Sequence, residues 1–368
     1  MKNNNIRKSA LYLALSVAMG ASAGAHAAVE IYNQDGTSFS VDGYFNAFYV
    51  NREDKLADTR NSDVKMGFLP NTIGFNFSKE MGELTLGGRS SFWSTINDSL
   101  QSPTDTAIDV RQLYATVDGS FGQVLIGKDF GLYARSNIFL DEILMGFGSP
   151  GAPTGVSFGN IRTGYPYPNP SAQITYRTPD LGGLNIAAGI FEPANTTPGA
   201  GSEQSAPRIE AEVTYSADLN GVSLTGWVNG RTQSSENDTD SVDSTGLGYG
   251  LRASVAGFSL TGSGFTSEGD VPVLISDTAA TIGEEDADGY LIQGSYTLGA
   301  NRFVLSYGET DSDQADYETE NTSIAVFHDV NSNFKLVAEY NMFEQTTKST
   351  GADAADIDTL ALGAVVTF

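Results

Sequence analysis

A chain of 368 residues that is 40% hydrophobic but only 18% charged, with a mean hydropathy of -0.18, fits neither an ordinary soluble enzyme nor a bundle of apolar membrane helices. Its 41 glycines, 16 tyrosines and 20 phenylalanines suit instead a β-rich protein with a greasy outer face and a wet interior. A formal charge of -25 argues against nucleic acid as a partner, because binding to phosphate needs a basic surface.

The first element is an export signal. Lys2, Arg7 and Lys8 make a basic start, Leu11 to Met19 an apolar core, and Ala25-His26-Ala27 a small-x-small cleavage site. The reading is a signal peptide over 1–27 and one mature domain over 28–368, starting at Ala28. The apolar core is too short to span a bilayer. Losing the leader leaves 17 basic against 45 acidic residues, a formal -28. That charge predicts solvated acidic loops and an attraction for cations. With no cysteine, the exported chain must gain stability without disulfides, and a closed barrel does so by pairing its backbone groups within lipid.

From residue 38 onward one unit recurs: about ten alternating residues, then a turn or polar loop. Leu247, Tyr249, Leu251, Ala253 and Val255 alternate with Gly248, Gly250, Arg252 and Ser254. Phe334, Leu336, Ala338 and Tyr340 alternate with Lys335, Val337, Glu339 and Asn341. At the end, Leu360, Leu362, Ala364, Val366 and Phe368 repeat the pattern. Period two with polar or small partners puts one face in lipid and the other in water.

Short connections occur at 80–83, 119–122, 218–221, 256–257, 299–301 and 329–332, rich in Gly, Asn and Asp as tight hairpins require. Between them lie polar stretches near 95–107, 130–170, 192–206, 232–244, 266–286, 308–316 and 344–355. Turns sorted from loops in this way describe an antiparallel transmembrane β-barrel of the outer membrane, with about sixteen strands. The fold class is all-β. A soluble β-sandwich would have fewer strands and no such sorting.

The segment from Phe130 to Asn169 is too long for a plain connection. It carries Ile138, Phe139, Leu140, Ile143, Leu144, Met145 and Phe147, which a freely solvated loop would not. An inward fold against the barrel wall would bury them. Three acidic clusters, around Glu236 to Asp243, Glu284 to Asp288 and Glu309 to Asp316, read as solvated loops. Bridging by divalent cations to lipopolysaccharide phosphates is the sharper reading, but none matches an EF-hand spacing and no metal is assigned. After cleavage His328 is the last histidine, so neither catalytic residues nor cofactors are expected.

Several blocks carry a family resemblance. Val29-Glu30-Ile31-Tyr32-Asn33-Gln34-Asp35-Gly36 resembles the opening strand of the general bacterial porins. Arg111-Gln112-Leu113-Tyr114-Ala115-Thr116-Val117, with Gly119 to Val124 and Ile126-Gly127-Lys128, is similar to that family's fourth and fifth strands. Tyr176-Arg177-Thr178-Pro179 resembles the end of its sixth, and terminal Phe368 the signal read by the β-barrel assembly machinery.

The resemblance implies a sixteen-stranded barrel, usually a homotrimer, embedded in outer-membrane lipid and lipopolysaccharide, with its third loop folded inward as a constriction. On that loop it implies carboxylates, here Asp141 and Glu142. On the wall it implies a ladder of arginines, here Arg111 and Arg162, with Lys128 and Arg177 adding to it. Parity leaves Arg111 ambiguous, because Leu113 and Ala115 share its face. An outward arginine at mid-bilayer costs about 2–4 kcal/mol, which turns it inward. The pattern departs at Asn71-Thr72-Ile73-Gly74, where Thr72 stands in place of an arginine; Arg89, inward by alternation, is the substitute. The expected function is passive diffusion of small hydrophilic solutes and ions, with a weak cation preference. The alternatives are a substrate-selective channel, for which Tyr165, Tyr167 and Trp227 would supply aromatic contacts, and a plugged structural or receptor barrel.

Overall fold

A computed structural model describes residues 28–97, 108–150, 157–269 and 283–368. The expected signal peptide, 1–27, lies outside the described residues. Strands β1 (Val29–Gln34), β2 (Thr37–Asp54), β3 (Thr59–Lys65), β4 (Asn71–Met81) and β5 (Leu84–Ser94) come first. Next come β6 (Ile108–Gly119), β7 (Gly122–Asp129), the short helix α1 (Arg135–Phe139), β8 (Ser171–Arg177) and β9 (Leu184–Phe191). Then follow β10 (Arg208–Leu219), β11 (Val222–Glu236), β12 (Ser241–Val255), β13 (Phe258–Glu268) and β14 (Asp286–Leu298). The last four are β15 (Asn301–Ser312), β16 (Tyr317–Asn331), β17 (Phe334–Thr347) and β18 (Ala352–Thr367).

These eighteen segments build sixteen staves. The upper half of β2 pairs with β3 and its lower half with β4, so β3 and β4 lie end to end as one stave. On the other edge β18 pairs with the upper part of β2, from Thr367 opposite Tyr44 to Ile357 opposite Asp54. Strand β1 continues that line below, beside Thr37 to Val41. The pairing of β18 with β2 closes the antiparallel ring, so backbone groups around the barrel pair from strand to strand, as a bilayer requires. At the seam, Phe368 and Gly43 exchange main-chain hydrogen bonds of 3.1 and 2.9 Å.

Alternation sorts the faces as the sequence predicts. In β10, Arg208, Glu210, Glu212 and Thr214 are buried inside, while Ile209, Val213 and Tyr215 are exposed outside. Leu251, Leu260, Ile292, Leu305 and Ile324 extend the apolar belt around the barrel. At one end the turns are tight: Ala256 and Gly257 both adopt positive φ, 50° and 86°, as a primed two-residue turn requires.

The other end differs from the sequence reading. Most of 232–244, 308–316 and 344–355 is strand, so β11–β12, β15–β16 and β17–β18 rise as long hairpins that meet in four-residue turns. The reason is physical. A strand standing in water needs no apolar face, so Thr, Ser and Glu at those positions read as loop although their backbones pair in register. The segment Met66–Pro70 also steps into the bore, with Met66 and Phe68 buried and Phe68 N–H donating to Gly146 O at 2.9 Å.

Candidate functional site

The loop between β7 and β8 folds inward and is fixed to the wall along its described length. Its first limb is held by side-chain oxygens of the wall that accept from main-chain N–H groups. Glu210 accepts from Leu132 N and Tyr133 N at 2.6 and 3.0 Å, and Asn229 Oδ1 from Ala134 N at 2.9 Å. Helix α1 has no side-chain cap of its own; Glu212 of β10 accepts from Ser136 N and Oγ instead. The wall thus satisfies donors that a helix start leaves orphaned.

The loop's apex is apolar and docks on an apolar stretch of inner wall. Ile143, Met145 and Phe147 pack with Phe48, Val304, Phe327 and Val337. Glu339 of β17 takes the N–H groups of Phe147 and Gly148 at 2.8 and 2.6 Å. On the return limb Gly164 N donates to Thr310 Oγ1 at 3.0 Å, and Thr319 Oγ1 donates to Arg162 O. Gly308 must be bare here, because a Cβ would run into Thr163 O. The inward fold follows from burial: the loop's apolar side chains and main-chain donors find partners only on the wall.

Asp141 is buried and does not face open solvent. It accepts from Tyr165 Oη (2.5 Å), Gln293 Nε2 (2.6 Å), Asn160 Nδ2 (3.0 Å) and Ile143 N (2.9 Å). Burial pushes its carboxyl up, with these hydrogen bonds pulling the other way. Glu142 is likewise buried. It receives Arg252 and Ser259 on one oxygen, at 2.7 and 3.0 Å, and Arg302 and Ser295 on the other, at 2.9 and 3.2 Å. Both carboxylates hold the loop to the wall.

The basic set divides. Arg111 turns inward, and the cause is a β-bulge. Ser91 pairs with Gln112 but Phe92 with Val110, so Arg111 is the extra residue and escapes the parity of Leu113. Its guanidinium bonds Asp109 at 2.7 Å and Tyr167 Oη at 2.9 Å and sits 4.9 Å from the Trp93 ring. Arg89 is inward too, bonded to Asp42 at 2.5 and 2.9 Å, to Asn76 at 2.7 Å and to Gln112 at 2.8 Å. Arg177 is inward at the lower end of β8, on the face of Gln173 and Thr175. Thr72 is buried and donates to Pro70 O at 3.0 Å.

Two residues need correction. Lys128 shares the outward face with Ile126 and pairs with exposed Leu113 and Ala172, so it leaves the luminal set. Arg162 is not on the wall. It lies on the return limb of the loop at φ 70°, its guanidinium 4.8 Å from the Tyr317 ring of β16. The aromatic candidates are packed away as well: Tyr165 and Tyr167 are buried, and Trp227 donates from Nε1 to Asn137 at 3.0 Å.

Sequence reasoning passed over Arg252 and Arg302, which receive the loop, and Arg135, which stands 3.3 Å from Asp129. Parity marks Arg252 and Arg302 as inward, but nothing local to either strand says that Glu142, over a hundred residues away, arrives between them. His328 lies on the outward face with Ile324 and bonds Asn301 at 2.9 Å. Among the described residues no group of three or more Asp, Glu or His is placed to hold a metal.

A closed barrel with an apolar belt outside, charged groups inside and a loop folded into its bore is a membrane-channel barrel. The chain belongs to the Gram-negative porin family, which it matches over residues 14–348. It is 25% identical over 373 residues to outer membrane protein U of Vibrio parahaemolyticus, spanning 95% of this chain and 97% of that protein. Its fold is similar to that of the anion-selective porin from Comamonas acidovorans, with a TM-score of 0.69, 15% identity, and coverage of 90% and 100% of the two chains. It is also similar to OmpT of Vibrio cholerae in its trimer form, with a TM-score of 0.58, 15% identity, and coverage of 91% and 100%. The protein is therefore an outer-membrane diffusion channel and not an enzyme. Its tight turns face the periplasm and its tall hairpins the exterior.

Proposed function

We propose that the channel passes small hydrophilic solutes and ions with a weak preference for cations, and that it works as a homotrimer like the similar Vibrio cholerae barrel. One observation carries the cation preference: four of the inward arginines are each matched by a carboxylate of their own. Arg89 lies 2.5 Å from Asp42, Arg111 2.7 Å from Asp109, Arg135 3.3 Å from Asp129 and Arg208 2.7 Å from Glu210. Paired charges cancel at a distance, so the net field of the acidic chain, with Thr72 where an arginine is expected, favours cations at the mouth. The anion selectivity of the Comamonas barrel is a property of that protein; side chains and not the shared fold set the sign.

In this reading Arg89, Arg111 and Arg177 line the constriction, while Asp141, Glu142 and Arg162 place the loop that narrows it. Opposed charges across a narrow wet gap orient dipolar solutes and penalise apolar ones. Phe368, on the outer face beside Phe45, is the residue offered to the assembly machinery, and the outward carboxylates of the tall hairpins meet the lipopolysaccharide layer. Reversal potentials of the reconstituted protein in a salt gradient test the preference. A cation-selective sign is expected; an anion-selective sign would overturn it. Absence of any open channel would favour a plugged receptor barrel, and blockade by a single sugar class a substrate-selective one.

A further inference from the structure

Two arginines of the wall share one carboxylate of the inward loop, that of Glu142. Arg252 of β12 uses Nε on Thr261 Oγ1 at 3.0 Å and Nη2 on Leu140 O and Glu142 Oε1 at 2.6 and 2.7 Å. Arg302 of β15 uses Nη1 on Glu142 O and Oε2 at 2.8 and 2.9 Å. A guanidinium carries five N–H donors in a planar fork. The Nη1 of Arg252, and the Nε and Nη2 of Arg302, therefore keep donors that no group of the described chain takes. Neither head is sealed: the two side chains retain 19% and 25% of their exposure.

These donors border a cleft of about 390 Å³ that opens beside the periplasmic turns at Gly221 and Ala256-Gly257 and the end of β14 at Thr297. Ser254, Ser259 and Ser295 line it as well, but Glu142 already receives the hydroxyls of Ser259 and Ser295. Glu142 is thus saturated as an acceptor while the arginines are not saturated as donors. The formal balance is two positive charges to one negative. Phe327, its ring 4.3 Å from the Arg302 guanidinium, fixes that fork from one side. Lys335 stands on the same ring at 6.0 Å, tied to Asp329.

We infer that Arg252 and Arg302, spaced by Glu142, form a binding site for a small oxyanion, a carboxylate or a phosphate, at the periplasmic exit of the pore. Planar forks favour such ligands because two parallel charge-assisted hydrogen bonds fit two oxygens of the anion. The site is independent of the cation preference proposed above, which is read from the reversal potential and not from block. An anion bound there occupies the exit and interrupts current, and it reaches the cleft directly from the periplasmic side.

The test uses the full-length protein in a planar bilayer, with inorganic phosphate as the probe on each side in turn. The expected result is concentration-dependent block that is stronger from the periplasmic side. Arg302→Gln should raise the half-blocking concentration at least about tenfold, the loss expected for a charge-assisted pair. Glu142→Gln should lower it, because the competing negative charge is gone. The opposite signs are the discriminating result. If both variants weaken block, the arginines serve only to seat the loop and the proposal is overturned. Absence of block in the parent protein, or equal block from both sides, overturns it too. Should Arg302→Gln fail to give a heat-modifiable barrel on gels, calorimetric titration of phosphate into the parent and Glu142→Gln decides: tighter binding in the variant supports the site, and no binding to either overturns it.

Discussion

Glu339 and Gly148 meet across the bore: the carboxylate of a wall strand accepts the loop's main-chain N–H at 2.6 Å, beside the same contact from Phe147 at 2.8 Å. Few geometries hold a loop apex so directly, because two consecutive donors converge on one buried acceptor. Glu339→Gln preserves shape but sets an amide N–H against one of them. An orphaned buried donor costs about 1–3 kcal/mol, enough to loosen the apex without opening the barrel. Single-channel recordings should show a larger, noisier open current with an unchanged heat-modifiable band. Quiet current of parental size would show that the apolar contacts of Ile143 and Phe147 suffice.

Arg111 should behave as an inward cation, not a lipid-facing one. In Arg111→Ala the Trp93 ring loses a cation at 4.9 Å and Tyr167 Oη its partner at 2.9 Å. The cation–π contact alone is worth about 0.5–2 kcal/mol. Tryptophan emission should shift, and the reversal potential should move further toward cations. An unchanged reversal potential would place Arg111 outside the conducting path.

On the outer face above the belt, four carboxylates lie directly opposite one another across four strands: Glu309, Glu320, Glu344 and Asp356. The single O–H of Tyr307 is shared between Glu309 and Glu320, at 3.1 and 3.0 Å, and Lys55 pairs with Asp356 at 2.8 Å. Like charges directly opposite in a sheet destabilise it by about 0.2–1 kcal/mol per pair. Glu344→Gln should therefore raise the thermal midpoint at low salt. The gain should vanish near about 1 M salt, where the screening length falls to about 3 Å. A midpoint that drops at low salt would contradict this.

Acid should separate the β15–β16 hairpin from its neighbour, β17–β18. Asp316, at the β15–β16 turn, accepts from Ser349 N and Oγ, both at 2.7 Å, and these bonds hold its carboxyl below the usual value. A lowered folded value means that the contact contributes stability above the unfolded value of about 3.9 and loses it as pH falls through the folded one. Proteolysis or hydrogen exchange at 348–351 should accelerate below about pH 4, and Asp316→Asn should show the acid rate already at neutral pH. Exchange that is flat with pH would remove Asp316 as the tie.

Much of the architecture was legible because barrel strands are under one local constraint, an apolar residue at every second position wherever lipid lies outside. That constraint exposed the alternating runs that end at Val255, Tyr340 and Phe368, and it turned Arg89 inward. It failed where lipid no longer presses. The tall hairpins around Asp238, Asp313 and Ser349 alternate without an apolar face, so they looked like loops. Arg111 could be turned only by an energy argument, because the bulge that frees it needs Phe92 and Val110 on two different strands.

What the sequence determined by itself is the barrel: period-two faces and tight turns are local features, each set by the few residues around it. What only the tertiary structure decided is the bore. Lys128 and Arg162 left the wall ladder, Asp141 and Glu142 became the loop's anchors, and Arg252 and Arg302 came to share one carboxylate. Several of those relations, such as Glu142 between Arg252 and Arg302 or Asp141 on Gln293, join residues more than a hundred positions apart through a loop whose course is set by where its apolar side chains and main-chain donors can be satisfied. Alternation records which face a residue takes, but not what the folded loop brings to meet it.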